Sequence, residues 1–178
     1  MKIKFKIFRY FVLKLYLKGF IKEDNDYSRL KIIQLFFQVY VLATSLIKEE
    51  KIFINSFEWK AYPLGPKEEE IHEALKEDYF KRQFKIDDHK TTILLFKVLE
   101  SSEITEEDID DPDVPEEIKN FINAYLDKFP HLFEYGVSEL IQILQKYKCW
   151  ENAYNNRTKT NVITLKSIQE EKNIYVYK

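Results

Sequence analysis

The sequence predicts a mainly α, compact single-domain helical bundle that carries a small β-hairpin. Three observations point there. The chain has 178 residues, the length of one ordinary domain. Hydrophobic residues make up 45% of it, with Phe 14 and Tyr 12, enough to fill a sizeable core. Several long stretches repeat apolar residues three or four positions apart, the period of a helix buried on one side.

From Phe5 to Phe20, Phe8, Val12 and Leu15 share one helical face, while Lys14, Lys18 and Lys22 line another. The preceding Lys2–Ile7 alternates, so a short strand there stays open. Gly19 ends the helix. After the polar turn Glu23–Ser28, the run from Arg29 to Lys48 is apolar nearly all round, as a central helix covered by neighbours must be. Its apolar part, Ile32–Ile47, is broken by Gln34 and Gln38 and falls short of the roughly 20 residues of a membrane span. A buried core helix is expected. Lysines scattered through Met1–Phe20 leave no apolar run of signal-peptide length.

Lys51 to Tyr62, with aromatic and branched residues on both sides of Asn55-Ser56, reads as the hairpin. Gly65-Pro66 then opens a helix, with Glu68, Glu69 and Glu70 at its positive end and Ile71, Ala74, Leu75 and Tyr79 on its inner face. Another helix is expected over Thr92–Leu99. Residues 100–117 hold ten acids and no base. They read as a solvated acidic connection containing a capped turn at Thr105–Asp108, or else as an electrostatic contact for a basic partner. Pro115 starts a helix with Ile118, Phe121, Ile122, Tyr125 and Phe129 on one side, closed by Pro130. Gly136 and Ser138 introduce a further helix bearing Leu140, Ile141, Ile143 and Leu144, and Glu151–Asn161 is polar. The tail holds a helix around Leu165–Glu171 or a terminal hairpin, and Ile174–Tyr177 alternates like a strand.

Composition removes whole classes of function. The 28 basic and 30 acidic residues leave a net charge of −2, without the basic excess that drives nucleic-acid binding. The basic first helix could touch phosphate, but the glutamates after Pro66 and the acidic connection would repel a duplex. A single cysteine, Cys149, excludes an internal disulfide and a cysteine-rich zinc site, and fits a reducing cytoplasm. Three glycines are too few and too scattered for a dinucleotide fingerprint or a phosphate loop.

The motifs that carry chemistry stop short. His72-Glu73 begins like a zinc-protease helix, but Lys76 stands where the second histidine belongs. His89 and His131 have no ligand at metal spacing. A calcium loop starting at Asp108 would place Asp113 at its glycine and Lys119 at its last ligand. Cys149-Trp150 lacks the residues of a thiol-protease signature. The Asn156-Arg157-Thr158 sequon has no secretory signal to bring it to glycosylation. No catalysis, metal or cofactor is expected.

Three segments together resemble the Panacea domain, the SocA-like antitoxin family that includes many phage-associated proteins. Leu30-Lys31-Ile32-Ile33-Gln34-Leu35-Phe36-Phe37 is similar to the family's early helix. Ala61-Tyr62-Pro63-Leu64-Gly65-Pro66 and the glutamates that follow align without gaps to its alanine-tryptophan-x-tyrosine-glycine-proline-valine motif. Leu140 to Trp150 has the length of its late, tryptophan-ended helix. The likeness covers about residues 5–172. The chain departs from the pattern in four places. Gln34 replaces a lysine, Tyr62 a tryptophan, Cys149 a proline, and Leu144-Gln145 a threonine-histidine pair whose role is therefore lost or altered.

The resemblance implies a non-catalytic antitoxin that neutralises a cognate toxin, encoded next door, by direct binding. A proteolytic adaptor that delivers the toxin to a protease complex is the family's variant mechanism. A phage or mobile-element regulator binding DNA or a host protein is the alternative outside it. Candidate toxin-binding residues are Tyr62, Gly65 and Pro66 at the glycine-proline turn, with Trp59 and Trp150. A place in the core stays open for Trp59, Tyr62 and Trp150.

Overall fold

The computed structural model describes residues 1–21, 28–47, 51–77, 79–80, 104–156 and 160–171. The fold is mainly helical. Helix α1 (Ile3–Leu17) starts inside the alternating segment, so no strand forms there. Six alternating residues are too few to hold a strand without a partner, and they continue directly into a helical pattern, where each added residue gains a hydrogen bond. The end of α1 is a Schellman turn: Phe20 N–H donates to Leu15 C=O at 3.0 Å and Gly19 N–H to Tyr16 C=O at 2.8 Å. Gly19 takes φ +72°, a conformation other residues reach at a cost of about 1–2 kcal/mol.

Helix α2 (Arg29–Leu46) is the axis of the molecule. Ser28 caps it by accepting Lys31 N–H at 3.1 Å. Ile32, Leu35, Phe36 and Val39 are fully buried, as are the polar Gln34 and Gln38. By length and composition alone this helix could cross a membrane, with a mean hydropathy of 1.2; here 72% of it is buried against the rest of the chain.

The hairpin lies further along the chain than the sequence predicts. Lys51–Asn55 forms a short helix, α3, and brings the Ile54 carbonyl to the Tyr40 hydroxyl, which donates to it at 2.7 Å. Burial pushes that phenol up to about 12. The strands are β1 (Trp59–Tyr62) and β2 (Gly65–Glu68), antiparallel with Trp59 opposite Glu68 and Tyr62 opposite Gly65. Gly65-Pro66 is therefore the start of a strand and not of a helix. The proline is tolerated because β2 is an edge strand: a third strand, β3 (Val162–Ile163), pairs with the other side of β1, giving the order β2-β1-β3. Helix α4 (Glu69–Lys76) begins only after the hairpin, with the Glu68 carboxylate accepting Ile71 N–H at 2.7 Å.

The remaining described helices are α5 (Glu106–Ile109), α6 (Glu116–Lys128), α7 (Val137–Leu144), α8 (Lys148–Asn155) and α9 (Leu165–Gln169), with a 3-10 turn at Pro130–Phe133. The polar stretch after Trp150 is helical over its first five residues, Glu151–Asn155, and Cys149, Trp150 and Ala153 form a buried stripe at helical spacing. Among the described residues of the tail, Leu165–Gln169 is helical. Ile174–Tyr177 and the expected helix at Thr92–Leu99 lie outside the described residues.

Over its described part, residues 104–117, the acidic connection is largely exposed and carries the expected capped turn at Thr105–Asp108, but it also lies against α1 and pairs with its central cations. Lys6 donates to Asp111 at 3.1 Å and to Asp113, Lys14 to Glu106, and Arg9 to the Asp108 carbonyl at 2.8 Å. Lys119 of α6 closes the arrangement on Asp110. Part of the acidic charge is thus matched by the chain's own first helix. Several of these pairs have one partner exposed to water and contribute little singly, but their protonation is readable.

The Thr105 backbone N–H and hydroxyl hold Asp108 low. Burial pushes Asp111 up, but the Asp113 N–H together with Lys6 and Arg9 outweighs it. Lys2 and Lys4 hold Glu70 low. Carboxylates depressed in the folded state give stability that is complete above their unfolded values and is lost as pH falls through the folded ones. The melting temperature should be flat from about pH 7 to pH 5 and drop below about pH 4. A melting temperature unchanged down to pH 3 would contradict these contacts.

Candidate functional site

A groove of about 800 Å3 opens at the hairpin turn. Its walls come from the first turns of α2, the turn and start of β2, α4 and the beginning of α7. Leu30, Ile33, Leu64 and Val137 make it mainly apolar; Arg29, Tyr62, Lys67 and His72 add polar atoms around it. A cleft of this size and lining is the usual form of a binding site.

The turn itself, Pro63-Leu64, is held from two sides. Gln34 of α2 donates from Nε2 to the Leu64 carbonyl at 2.6 Å, and Gln145, just beyond α7, donates to the Pro63 carbonyl at 3.0 Å. Gly65 follows with φ +105°, and a Cβ placed there would come within 3.1 Å of Gln34 Nε2. A glycine is thus required twice over, by its dihedral and by the approach of the glutamine. The outcome is a fixed turn that leaves the Leu64 side chain 58% exposed beside the groove.

Charge is arranged around Tyr62. Its hydroxyl donates to Glu69, which raises the phenol's pKa. Glu69 accepts from Lys60 at 2.6 Å as well, and Lys60 and Tyr62 together lower it. The Lys67 ammonium sits 4.1 Å over the Tyr62 ring, a cation–π contact. His72 is lowered, first by burial, against a weaker opposing contact from Glu73; near neutral pH the imidazole is uncharged. The cations lining the groove are therefore Arg29 and Lys67. Neither has an ion-pair partner among the described residues.

The five residues chosen from sequence divide sharply. Tyr62 and Gly65 line the groove. Pro66 is buried beside them. Trp59 is 1% exposed, packed by Phe37 with ring centroids 4.9 Å apart and by Phe36, Tyr40 and Phe57. Trp150 is 6% exposed and stacks on Tyr154 at 4.7 Å. Both indoles are core residues, unavailable to a partner in this conformation. Sequence reasoning passed over Arg29, Leu64 and Lys67. A leucine in a two-residue turn is the signal that could have found the second, since turns favour polar residues there.

No protein-family model, no curated protein and no solved structure matches the chain. Among the described residues no group of three or more His, Cys, Asp and Glu side chains is placed to hold a metal. Cys149 is buried, and its backbone N–H donates to Glu171 at 2.9 Å. Burial and then the Glu171 carboxylate push the thiol far up, so it stays protonated and a poor nucleophile near neutral pH. Iodoacetamide should label Cys149 only on unfolding. Rapid labelling of the native protein would contradict the packing around α8.

Proposed function

We propose that this protein acts by binding another protein: it is a non-catalytic antitoxin that neutralises a cognate, adjacently encoded toxin in the cytoplasm, and the groove beside the hairpin turn receives that toxin. The observation that carries the reading is the convergence of three separated segments on one turn. Leu30 and Ile33 come from the first segment that resembles the Panacea domain. Tyr62, Leu64 and Gly65 come from the second. The third supplies Gln145, which bonds the turn. Two departures from the family pattern, Gln34 and Gln145, are the two donors that hold the turn's adjacent carbonyls.

A fixed, exposed leucine next to an apolar groove suits protein recognition. With both turn carbonyls held, little backbone freedom is left to lose on binding, which is how preorganisation adds affinity. Nucleic acid suits it poorly. Two cations line the groove, α1 is already neutralised by acids, and the phosphate backbone rewards many basic contacts at once. Delivery of the bound toxin to a protease would use the same surface for capture.

Co-expression with the product of the neighbouring reading frame tests the reading. Wild type should restore growth and co-purify with that product. Leu64→Ser, at an exposed position, should weaken binding by about 1–2 kcal/mol with little change in melting temperature. A toxic neighbour product that neither binds the wild type nor is neutralised by it would overturn the proposal.

A further inference from the structure

We propose that the groove recognises an acidic segment of the partner that carries at least one large apolar side chain. This rests on the protein-binding reading and specifies the chemistry of what binds. The argument is one of charge complementarity: most other cations among the described residues pair with a carboxylate, Lys128, which lies over the Phe129 ring, being an exception. Lys2, Lys4, Lys6, Lys14, Lys18 and Lys119 each face a carboxylate within salt-bridge range, and Lys60, Lys76, Lys148 and Lys166 do the same. Arg29 and Lys67, both lining the one groove, have no such partner among the described residues.

The placement of these two cations adds to the case. Arg29 is the first residue of α2, an 18-residue helix, where the backbone already presents partial positive charge. Lys67 lies over the Tyr62 ring, which keeps it at the groove. His72 adds no charge near neutral pH because burial depresses it. The same groove is lined by Leu30, Ile33 and Leu64, which offer nothing to a fully solvated acid. An acidic residue alone would leave that apolar surface uncovered, and an apolar residue alone would leave two cations partly desolvated without compensation. A segment with both covers the groove. A polyphosphate backbone needs more cations than two and no apolar floor.

A phage-displayed library of random peptides about twelve residues long, selected on the wild type and counter-selected on the Arg29→Glu/Lys67→Glu double variant, tests this. Both positions carry partly exposed side chains, and an unchanged melting temperature certifies the variant as folded. Enriched peptides should be net acidic and contain Leu, Ile, Phe, Trp or Met. A synthetic peptide from that pool should bind the double variant at least about tenfold more weakly. Replacing its acids by lysine should abolish binding to wild type and restore it to the double variant.

Enrichment of neutral or basic peptides, or a pool that binds both proteins equally, would overturn the inference. So would selection that yields no peptide dependent on Arg29 and Lys67. The antitoxin reading is scored separately, by growth rescue. Rescue by wild type and by the double variant alike leaves that reading standing and removes this one. Charge-selective peptide binding without any rescue keeps the groove's chemistry and removes the antitoxin.

Discussion

Trp59→Ala should lower folding stability by about 3–5 kcal/mol, a large fraction of the 5–15 kcal/mol that holds a domain together. The indole is 1% exposed and fills the space between the sheet and α2. Phe37 meets it edge-on at 4.9 Å, and Phe36, Tyr40 and Phe57 close the other sides. Truncation to alanine removes both the transfer energy of the ring and the packing of four aromatic neighbours, which cannot collapse into the void without moving α2. The indole N–H has no hydrogen-bond partner among the described residues, so Trp59→Phe keeps most of the packing while removing an unsatisfied donor, and it should cost much less. Urea melts of the three proteins at equal slope decide it. An alanine variant as stable as wild type would put Trp59 at a surface and restore it as a candidate contact.

Gly65→Ala should destabilise by about 2 kcal/mol or more and abolish partner binding at temperatures where the variant is still folded. Two costs add. At φ +105° any residue with a Cβ is strained by roughly 1–2 kcal/mol. The new Cβ also arrives 3.1 Å from Gln34 Nε2, which is fully buried and bonds the Leu64 carbonyl. Displacing that amide leaves a buried donor and a carbonyl unpaired, at about 1–3 kcal/mol. The turn then shifts, and Leu64 with it. Gln34→Ala should move binding in the same direction without the dihedral strain, so the pair separates strain in the glycine from loss of the clamp. Full binding by a folded Gly65→Ala protein would show that the turn's conformation is irrelevant to recognition.

The helices were legible because their signal is local and repeated. Ile118, Ile122 and Tyr125 mark the buried face of α6 in the sequence as clearly as in the fold, and α2 announces itself by being apolar on all sides. The turn chemistry of the sequence places the hairpin eight residues too early for a physical reason. Asn55-Ser56 has the chemistry of a turn, whereas Pro63-Leu64 does not. The actual turn is stabilised by Gln34 and Gln145, which are distant in sequence. The sequence signals α4 too early because a proline followed by glutamates fits a helix start as well as it fits an edge strand running into one. Only pairing with β1 distinguishes them.

The acidic segment shows the same limit from the side of charge. Its composition signals a need for cations, but nothing local tells whether they belong to another protein or to Lys6, Arg9 and Lys14 of α1. At the candidate site, Tyr62 and Gly65 could be read from the motif around the turn. Arg29 and Lys67 could not, because an isolated cation gains meaning only from the absence of a carboxylate beside it in space.

Hydrogen exchange on the free protein and on its complex with the neighbouring gene product tests the binding surface most directly. The proposed surface predicts new protection in the peptides that cover Tyr62–Lys67 and the first turn of α2, with α8 and the α1–α5 contact unchanged. Protection confined to α8, or to the acidic segment against α1, with the hairpin turn exchanging as in the free protein, would contradict it.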